Sequence, residues 1–324
     1  MMIPARTAPR AAGVLMGYLA DVALGDPQRG HPVAGFGSLA ARWEHVVYRD
    51  DRLAGALHAA ALLGALGGAA TLLSCAVGRR AGAAGTVATV AAATWACLGG
   101  TTLARTGTAM ADLLDAGDLD GARELLPSLC GRDPAYLDAD GVARAALESI
   151  AENTSDAQVA PLVWAAAGGA PAVLVYRGIN TLDAMVGHRS PRYARFGWAA
   201  ARTDDVANYL GARLAGVLVV LCAPLVGGSP RAAWRAWRRD ARRHPSPNAG
   251  VVEASFAGAL GVRLGGPTQY HHELQIRPTL GDGHAPTAAD LRRAVTLSRC
   301  VQGGAAVVTC LAALALGRIQ RRRP

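Results

Sequence analysis

Three carboxylates follow one another at helical spacing in the middle of the chain. Glu148, Glu152 and Asp156 are four residues apart, so on an α-helix they share one face. Like charges at that spacing repel one another unless a cation lies between them. Mg²⁺ prefers a few carboxylates together with phosphate oxygens. The pattern therefore favours a magnesium and phosphate site over the simpler interpretation, a solvated acidic face.

Further acidic and amide side chains form two short motifs later in the chain. Asp204 and Asp205 precede Asn208 by about one helical turn, a spacing that suits Mg²⁺ and diphosphate oxygens. The simpler interpretation of this motif is a helix N-terminal cap. Asn180 and Asp183 are three residues apart and on a helix could share one ligand.

A turn near the N-terminus carries a carboxylate and an imidazole. Asp26 and His31 each stand directly before a proline, and the residue before proline is pushed out of the α region. An Asp and a His on such a turn can bind phosphate by charge or through a metal ion. Ordinary capping groups explain the motif equally well.

Five polar residues form a basic motif in the second half of the chain. Arg242 and Arg243 can bind phosphate with two hydrogen bonds each, and His244 follows them. Ser246 and Asn248 could open a helix whose N–H groups face an anion. A basic patch against anionic lipid explains the arginines, but not the His-Pro-Ser-Pro-Asn-Ala-Gly run. Nucleic-acid binding is disfavoured because the patch lacks interleaved aromatic residues.

The residue types present exclude several other chemistries. All 33 basic residues are Arg, and the sequence has no Lys. This excludes a phosphate-loop Lys, a Schiff-base Lys and a Lys general base. Phosphate must then be held by Arg, His, backbone N–H groups or a metal ion. The 6 Cys form no C-x-x-C pair, which indicates buried thiols in a reducing compartment.

The composition indicates a membrane protein. Of the 324 residues 51% are hydrophobic and 18% are charged, whereas soluble domains carry about 25% charge. This balance excludes a disordered chain. The 39 Gly and the many Ala residues suit closely packed membrane helices.

The apolar segments predict one all-α, polytopic membrane domain over residues 1–324. Segments 53–77 and 81–104 predict a helical hairpin, and 303–317 has about the minimum spanning length. Segments 11–24, 159–176 and 211–228 are short or broken and predict re-entrant or interrupted helices. The N-terminal segment resembles a signal peptide, but polar residues follow it directly, so we expect it to be kept. Arg-rich segments predict that the polar loops face the cytoplasm.

Taken in order, the motifs resemble those of the CobD/CbiB family, the adenosylcobinamide-phosphate synthases of cobalamin biosynthesis. The resemblance rests on five runs in the family's order, covering nearly the whole chain: Gly25–Val33, Glu152–Asp156, Asn180–Asp183, Asp204–Asn208 and Arg242–Gly250. Single runs are weakly specific, and five in sequence are highly specific. One departure is His188, where a Tyr or similar residue is expected.

The resemblance implies a multi-pass enzyme of the cytoplasmic membrane with its active site facing the cytoplasm. It implies ATP-dependent amide formation between adenosylcobyric acid, a corrinoid, and aminopropanol phosphate, aminopropanol or ethanolamine phosphate. On this basis we expect Glu152 as base and Asp156, Asp204 and Asp205 as Mg²⁺ ligands, all four catalytic. The expected substrate- and phosphate-binding residues are Asp26, His31, Asn153, Asn180, Asp183, Asn208, Arg242, Arg243, His244, Ser246 and Asn248.

Two other functional classes stay open from the sequence. A Mg²⁺-dependent membrane prenyl-type transferase also needs Asp clusters beside helices, but it should have aromatic-lined clefts and only 3 Phe are present. A non-catalytic sensor of the AmpE type would not need the Asp, Asn and phosphate motifs together. A partner subunit or a homo-oligomer is also expected, because a large corrinoid must reach a small membrane enzyme.

Overall fold

The computed structural model describes residues 7–26, 30–188, 190–269 and 274–321, and α-helices make up most of them. The helices are α1 (Thr7–Leu24), α2 (Pro32–Val47), α3 (Arg52–Cys97), α4 (Gly100–Asp115), α5 (Leu119–Leu125), α6 (Ala139–Thr154), α7 (Ala160–Leu182), α8 (Trp198–Ala207), α9 (Tyr209–Cys222), α10 (Pro230–Asp240), α11 (Ala249–Leu260) and α12 (Ala288–Arg321). Strands β1 (Leu264–Gln269) and β2 (Leu274–Leu280) form one antiparallel hairpin. The predicted all-α fold class is confirmed.

Four segments of the described chain are long and apolar enough to cross a membrane. They are Arg52–Asp115, Ala139–Gly187, Tyr209–Val226 and Ala288–Ala315. In the first, only 11% of the most apolar window is buried, so its apolar side chains point outward. Such outward apolar surface is what a lipid environment favours and water disfavours.

The long helix α3 reverses direction at Gly82. This residue has φ 60° and ψ −132°, outside the helical region. A β-carbon built on Gly85 would lie 2.7 Å from the carbonyl oxygen of Val77, although eight helical residues span about 12 Å. The chain therefore doubles back here, at the junction of the two apolar segments noted in the sequence. The second arm ends at Cys97 and not near residue 104, because Leu98 is extended.

Helix α7 also reverses, at Gly169, where φ is 69° and ψ is −154°. The rings of Trp164 and Tyr176 lie 6.5 Å apart and are stacked. Twelve residues of straight helix would separate them by about 18 Å. Segment 159–176 is thus broken in its middle, at the Gly-Gly-Ala-Pro run that ends with Pro171.

By backbone proximity the chain forms two compact units, each assembled from separated parts of the sequence. The first unit contains residues 1–99, 160–208 and 306–324, and the second contains residues 100–159 and 209–305.

In the first unit, α1 packs closely against the second arm of α3. A β-carbon on Gly13 would lie 2.7 Å from Cβ of Val90, and one on Gly17 would lie 2.6 Å from Cβ of Thr94. The two glycines are four residues apart, so they form a small-residue stripe that lets the backbones approach.

In the second unit, α11 is buried along its whole length. It packs against α6, α9 and α10, and strand β2 lies beside it. The β-hairpin is irregular at Gly265 and Gly266, whose φ values are 80° and 87°. These values belong to the region that only glycine adopts readily.

Candidate functional site

The second unit contains a cluster of buried ionisable side chains. Arg132 is 5% exposed, Glu148 2%, Glu253 1% and His244 8%. Burying ionisable groups is costly unless they are paired and hydrogen-bonded. Such clusters with perturbed titration are frequent at functional sites. We call these four residues, with Glu152 and Arg277, the ionisable cluster.

Glu148, on α6, is held at both carboxylate oxygens. The guanidinium of Arg132 donates to Oε2, and the backbone N–H of Gly265 donates to Oε1 at 2.7 Å. A β-carbon at Gly265 would lie 2.1 Å from the carbonyl oxygen of Pro278. Glycine at this position therefore lets strand β1 pass close to Pro278 of strand β2.

His244 and Glu253 face each other inside the cluster, with Nε2 and Oε1 3.7 Å apart. Nδ1 of His244 lies 3.1 Å from the backbone nitrogen of Ser246 and 3.2 Å from the carbonyl oxygen of the same residue. Burial, together with the charge of Arg277, lowers the pKa of His244 to about 4. Burial raises the pKa of Glu253, and the charges of Glu148 and Glu152 add to this effect. The pair thus favours a neutral imidazole beside a carboxyl group that ionises with difficulty.

Glu152 is the carboxylate of the cluster that solvent reaches. It lies one turn after Glu148 on α6 and is exposed, whereas Glu148 and Glu253 are buried. The charges of Arg277, Arg132 and Glu148 act on it. An exposed carboxylate can exchange a proton with a ligand.

The rest of the acidic motif on α6 is placed differently from Glu152. Asn153 donates to the carbonyl oxygen of Ser149 at 2.9 Å, a bond within its own helix. Helix α6 ends at Thr154, and Asp156 lies in a π-helical turn over Ser155–Val159. Because a π turn holds more residues than an α turn, Asp156 does not continue the face of Glu148 and Glu152.

The basic motif before α11 is only partly as predicted. Arg242 and Arg243 are exposed, and Arg243 lies 3.5 Å from Asp240. The hydroxyl of Ser246 accepts the N–H groups of Asn248 at 3.3 Å and Ala249 at 3.2 Å. Ser246 thus binds two of the N–H groups that open α11, and anion binding by Ser246 and Asn248 stays a prediction.

The side-chain oxygen of Asn248 accepts a hydrogen bond from Arg213 at 2.5 Å, and substrate binding by Asn248 stays a prediction. The Arg213 guanidinium in turn lies 3.6 Å from the centre of the Tyr209 ring. The hydrogen bond connects α9 to the start of α11, and the ring contact lies within α9.

Three predicted residues meet in the first unit. Asn208 donates to Oδ2 of Asp204 at 2.9 Å, and Asn180 approaches Oδ1 of Asp204 at 3.5 Å. The hydroxyl of Tyr176 donates to Oδ1 of Asn208 at 2.6 Å, and Arg177 donates to Oδ1 of Asn180 at 3.1 Å. Helices α7 and α8 thereby hold one carboxylate in a chain of polar contacts.

The remaining predicted residues of the first unit have local partners. Asp205 pairs with Arg202 at 3.4 Å. His31 caps α2, since its Nδ1 accepts the N–H of Val33 at 3.2 Å, which is the simpler role considered for it. Asp183 begins a second π-helical turn and packs against Gly187, and Asp26 is partly buried.

The magnesium ligand set stays a prediction. Asp204 and Asp205 belong to the first unit and Asp156 to the second, so neither unit assembles the three carboxylates by itself. Among the residues that the structure describes, no group of three or more His, Cys, Asp or Glu could hold a metal ion. Carboxylate and amide oxygens at Asp204 and Asn208 are nevertheless of the type that Mg²⁺ prefers.

Sequence reasoning missed three members of the ionisable cluster. Glu253 had a signal, since it is the one charged residue within the apolar segment 249–260. Arg132 lies in a turn before Asp133-Pro134 and gave little indication of burial. No sequence pattern indicated that Arg277 joins the cluster, because the pairing of the β-hairpin determines its position.

The fold and these residues define a polytopic helical membrane protein with a buried ionisable centre. The chain belongs to the CobD/Cbib protein family, whose model matches residues 14–298. It is 67% identical over 315 residues to the cobalamin biosynthesis protein CobD of Mycobacterium tuberculosis, which covers 97% of both chains. The proteins of the same name from Geobacter metallireducens and Rhodobacter capsulatus are each 42% identical over 313 residues. These two matches cover 94% of this chain and 96% and 98% of the relatives.

No solved structure matches the chain. The family resemblance noted in the sequence is confirmed, and with it a role in cobalamin biosynthesis.

Proposed function

We propose that the protein is an ATP-dependent amide ligase of the cytoplasmic membrane. It joins the propionate carboxylate of adenosylcobyric acid to aminopropanol phosphate, or to aminopropanol or ethanolamine phosphate. The product with the first amine is adenosylcobinamide phosphate. The observation that carries the proposal is the ionisable cluster, in which Glu152 is exposed and the charges of Arg277 and Arg132 act on it. The role of the relatives in cobalamin biosynthesis supports the corrinoid substrate.

The reaction needs an activated acyl group, because a carboxylate is a poor acyl donor. The substrate carboxylate takes the terminal phosphoryl group of ATP and ADP leaves. The amine nitrogen then attacks the acyl carbon, the bond to the phosphate oxygen breaks and phosphate leaves. A general base must take the proton that the amine loses.

We assign Glu152 as this base. Its carboxylate is accessible, while Glu148 is occupied by Arg132 and Gly265. The exposed guanidinium groups of Arg242 and Arg243 are suited to phosphate. We keep Mg²⁺ in the proposal as the ion that accompanies ATP, where it would neutralise charge on the transferred phosphoryl group. Because ATP is cytoplasmic, the site faces the cytoplasm.

The two alternative functions have less support. A membrane sensor does not require a buried ionisable cluster that is costly to fold. A prenyl-type transferase finds no support in the relatives, which are named for cobalamin biosynthesis. We therefore keep the ligase as the proposed function.

The test uses purified protein in detergent with adenosylcobyric acid, MgATP and each amine in parallel. Mass spectrometry should detect an amide product that forms only with ATP. Glu152→Gln should lower turnover by about 100-fold or more. Glu124→Gln, an exposed Glu on α5, is the matched control and should keep full turnover. Product formation without ATP, or full turnover of Glu152→Gln, would contradict the proposal.

A further inference from the structure

The second unit has a small cavity beside the β-hairpin. Its volume is about 250 Å³, slightly below the usual range for small-molecule sites. Residues with polar groups on its wall are Asp140, Arg144, Arg263, Gly265, Gly266 and Thr279. None of these residues belongs to the predicted site.

The charges around the cavity favour a ligand with one phosphate group. Arg144 and Arg263 bring two guanidinium groups to a small volume, and guanidinium matches the geometry of phosphate oxygens. Asp140 brings one carboxylate, which repels additional negative charge. The cavity therefore suits a monophosphate better than a di- or triphosphate.

The backbone of the hairpin also comes close to the cavity. Gly265 and Gly266 have φ values of 80° and 87°, and glycine at such positions allows close approach of the backbone to a ligand. A β-carbon on Gly266 would lie 3.6 Å from Nη1 of Arg144. The Arg144 guanidinium thus lies next to bare backbone at the cavity wall.

The cavity wall is directly connected to the ionisable cluster. Gly265 lines the cavity and donates its N–H to Glu148 at 2.7 Å. On α6, residues Asp140, Arg144, Glu148 and Glu152 follow at four-residue spacing within one regular helix. Successive members are neighbours on the helix surface, so a ligand at Arg144 lies about two turns of α6 before the proposed base.

We propose that this cavity binds a small phosphate monoester, with Arg144 and Arg263 as its phosphate-binding side chains. The inference rests on the proposed function for the identity of the ligand, which would be the amino-alcohol phosphate. Asp140 limits the charge of the ligand, so ATP binds elsewhere. The same phosphate chemistry occurs in phosphatidylethanolamine head groups, and the soluble ester is the source to which we assign the cavity.

Binding is tested by isothermal titration of the full-length protein in phosphatidylcholine nanodiscs. Aminopropanol phosphate and ethanolamine phosphate should bind, and aminopropanol without phosphate should bind at least about tenfold more weakly. Arg263→Gln and Arg144→Gln should each weaken binding of both esters at least about tenfold. Arg231→Gln, an exposed Arg on α10, is the matched control and should bind the esters as the unchanged protein does.

Unchanged ester binding by Arg263→Gln, which alters an exposed side chain and is expected to fold, would overturn the inference. Displacement of the ester by ATP in the unchanged protein would also overturn it. So would loss of ester binding in nanodiscs that contain phosphatidylethanolamine, because the cavity would then hold a lipid head group. Unchanged binding in those nanodiscs supports the soluble ester.

A kinetic measurement separates this inference from the proposed function. In amide synthesis, Arg263→Gln should raise KM for aminopropanol phosphate and leave KM for aminopropanol unchanged. Ester binding that depends on Arg263, without any amide product, would sustain the cavity assignment and contradict the ligase. Amide synthesis with an unaltered KM for aminopropanol phosphate in Arg263→Gln would sustain the ligase and contradict the cavity assignment.

Discussion

At the scale of single residues, the ionisable cluster makes folding depend on protonation. His244 is surrounded by Glu253, Arg277 and the backbone of Ser246, with the charge of Glu148 also acting on it. Burial is the largest cause of its low pKa. The imidazole is therefore neutral in the folded protein at a pH where the unfolded chain binds a proton.

This difference gives a pH dependence with a definite sign. Since the folded pKa is about 4 and the ordinary value is about 6.5, the unfolded chain binds more protons between those values. The free energy of unfolding should then fall as the pH falls from about 6.5 to about 4, by at most about 3 kcal/mol from this group. His244→Gln does not titrate, so its loss of stability over this window should be smaller. Thermal unfolding in detergent at a series of pH values measures the two slopes.

Other groups titrate in the same window, so the slopes are compared and not the absolute stabilities. Glu253 contributes in the opposite direction, because its folded pKa is raised and its stabilising effect is lost as the pH rises. His45→Gln replaces an exposed imidazole and should leave the slope as in the unchanged protein. Equal slopes for His244→Gln and the unchanged protein would contradict the assignment.

At the scale of elements, two helices owe their reversals to a single glycine each. Gly169 has φ 69° and ψ −154°, a conformation that residues with a β-carbon adopt at a cost of about 1–3 kcal/mol. Gly169→Ala should therefore lower the free energy of unfolding by about that amount. Gly68→Ala is the matched control, since a β-carbon there meets open space on a regular part of α3. Thermal unfolding of both variants in one detergent measures the difference.

The outcome that would contradict this view is equal stability of the two alanine variants. A straight helix through residue 169 would then be accessible to the chain at little cost. In that case the approach of Trp164 to Tyr176 would have to come from packing alone.

The helices and turns also show which features of the fold the sequence could predict. The apolar segments and the Gly-Gly-Ala-Pro interruption predicted helices and a break in α7, because both depend on local properties of the chain. The π turn after Thr154 could not be predicted, since no residue type there requires an extra residue in the turn. It removes Asp156 from the face that regular spacing gave it.

The candidate site was predictable where its residues belong to short polar motifs. Asn180, Asp204 and Asn208 were all identified, and the packing of α7 against α8 brings them together. The contacts of Glu148 with Arg132 and Gly265 depend on segments far apart in sequence. They also need a β-hairpin within a chain whose composition indicates helices, so sequence patterns alone could not give them.

At the scale of the whole molecule, arginine is concentrated beside apolar segments. Helix α10 follows the apolar segment Tyr209–Val226, and Arg231, Arg235 and Arg238 on it are exposed. Trp234, on the same helix, is 45% exposed. Exposed Arg and Trp residues next to an apolar segment are typical of a helix at the membrane surface. Because Arg-rich segments stay on the cytoplasmic side, α10 should lie in the cytoplasm.

Cysteine labelling in cells tests this orientation. Arg235→Cys is made in a variant without the six native cysteines and treated with a maleimide that does not cross membranes. The introduced thiol should stay unlabelled in intact cells and become labelled once the membrane is opened. The cysteine-free parent is the control and should be unlabelled in both conditions. Labelling in intact cells would place the Arg-rich helix outside, where ATP is absent. A ligase whose phosphate-binding arginines follow α10 by two and three residues would then lose its source of phosphoryl groups.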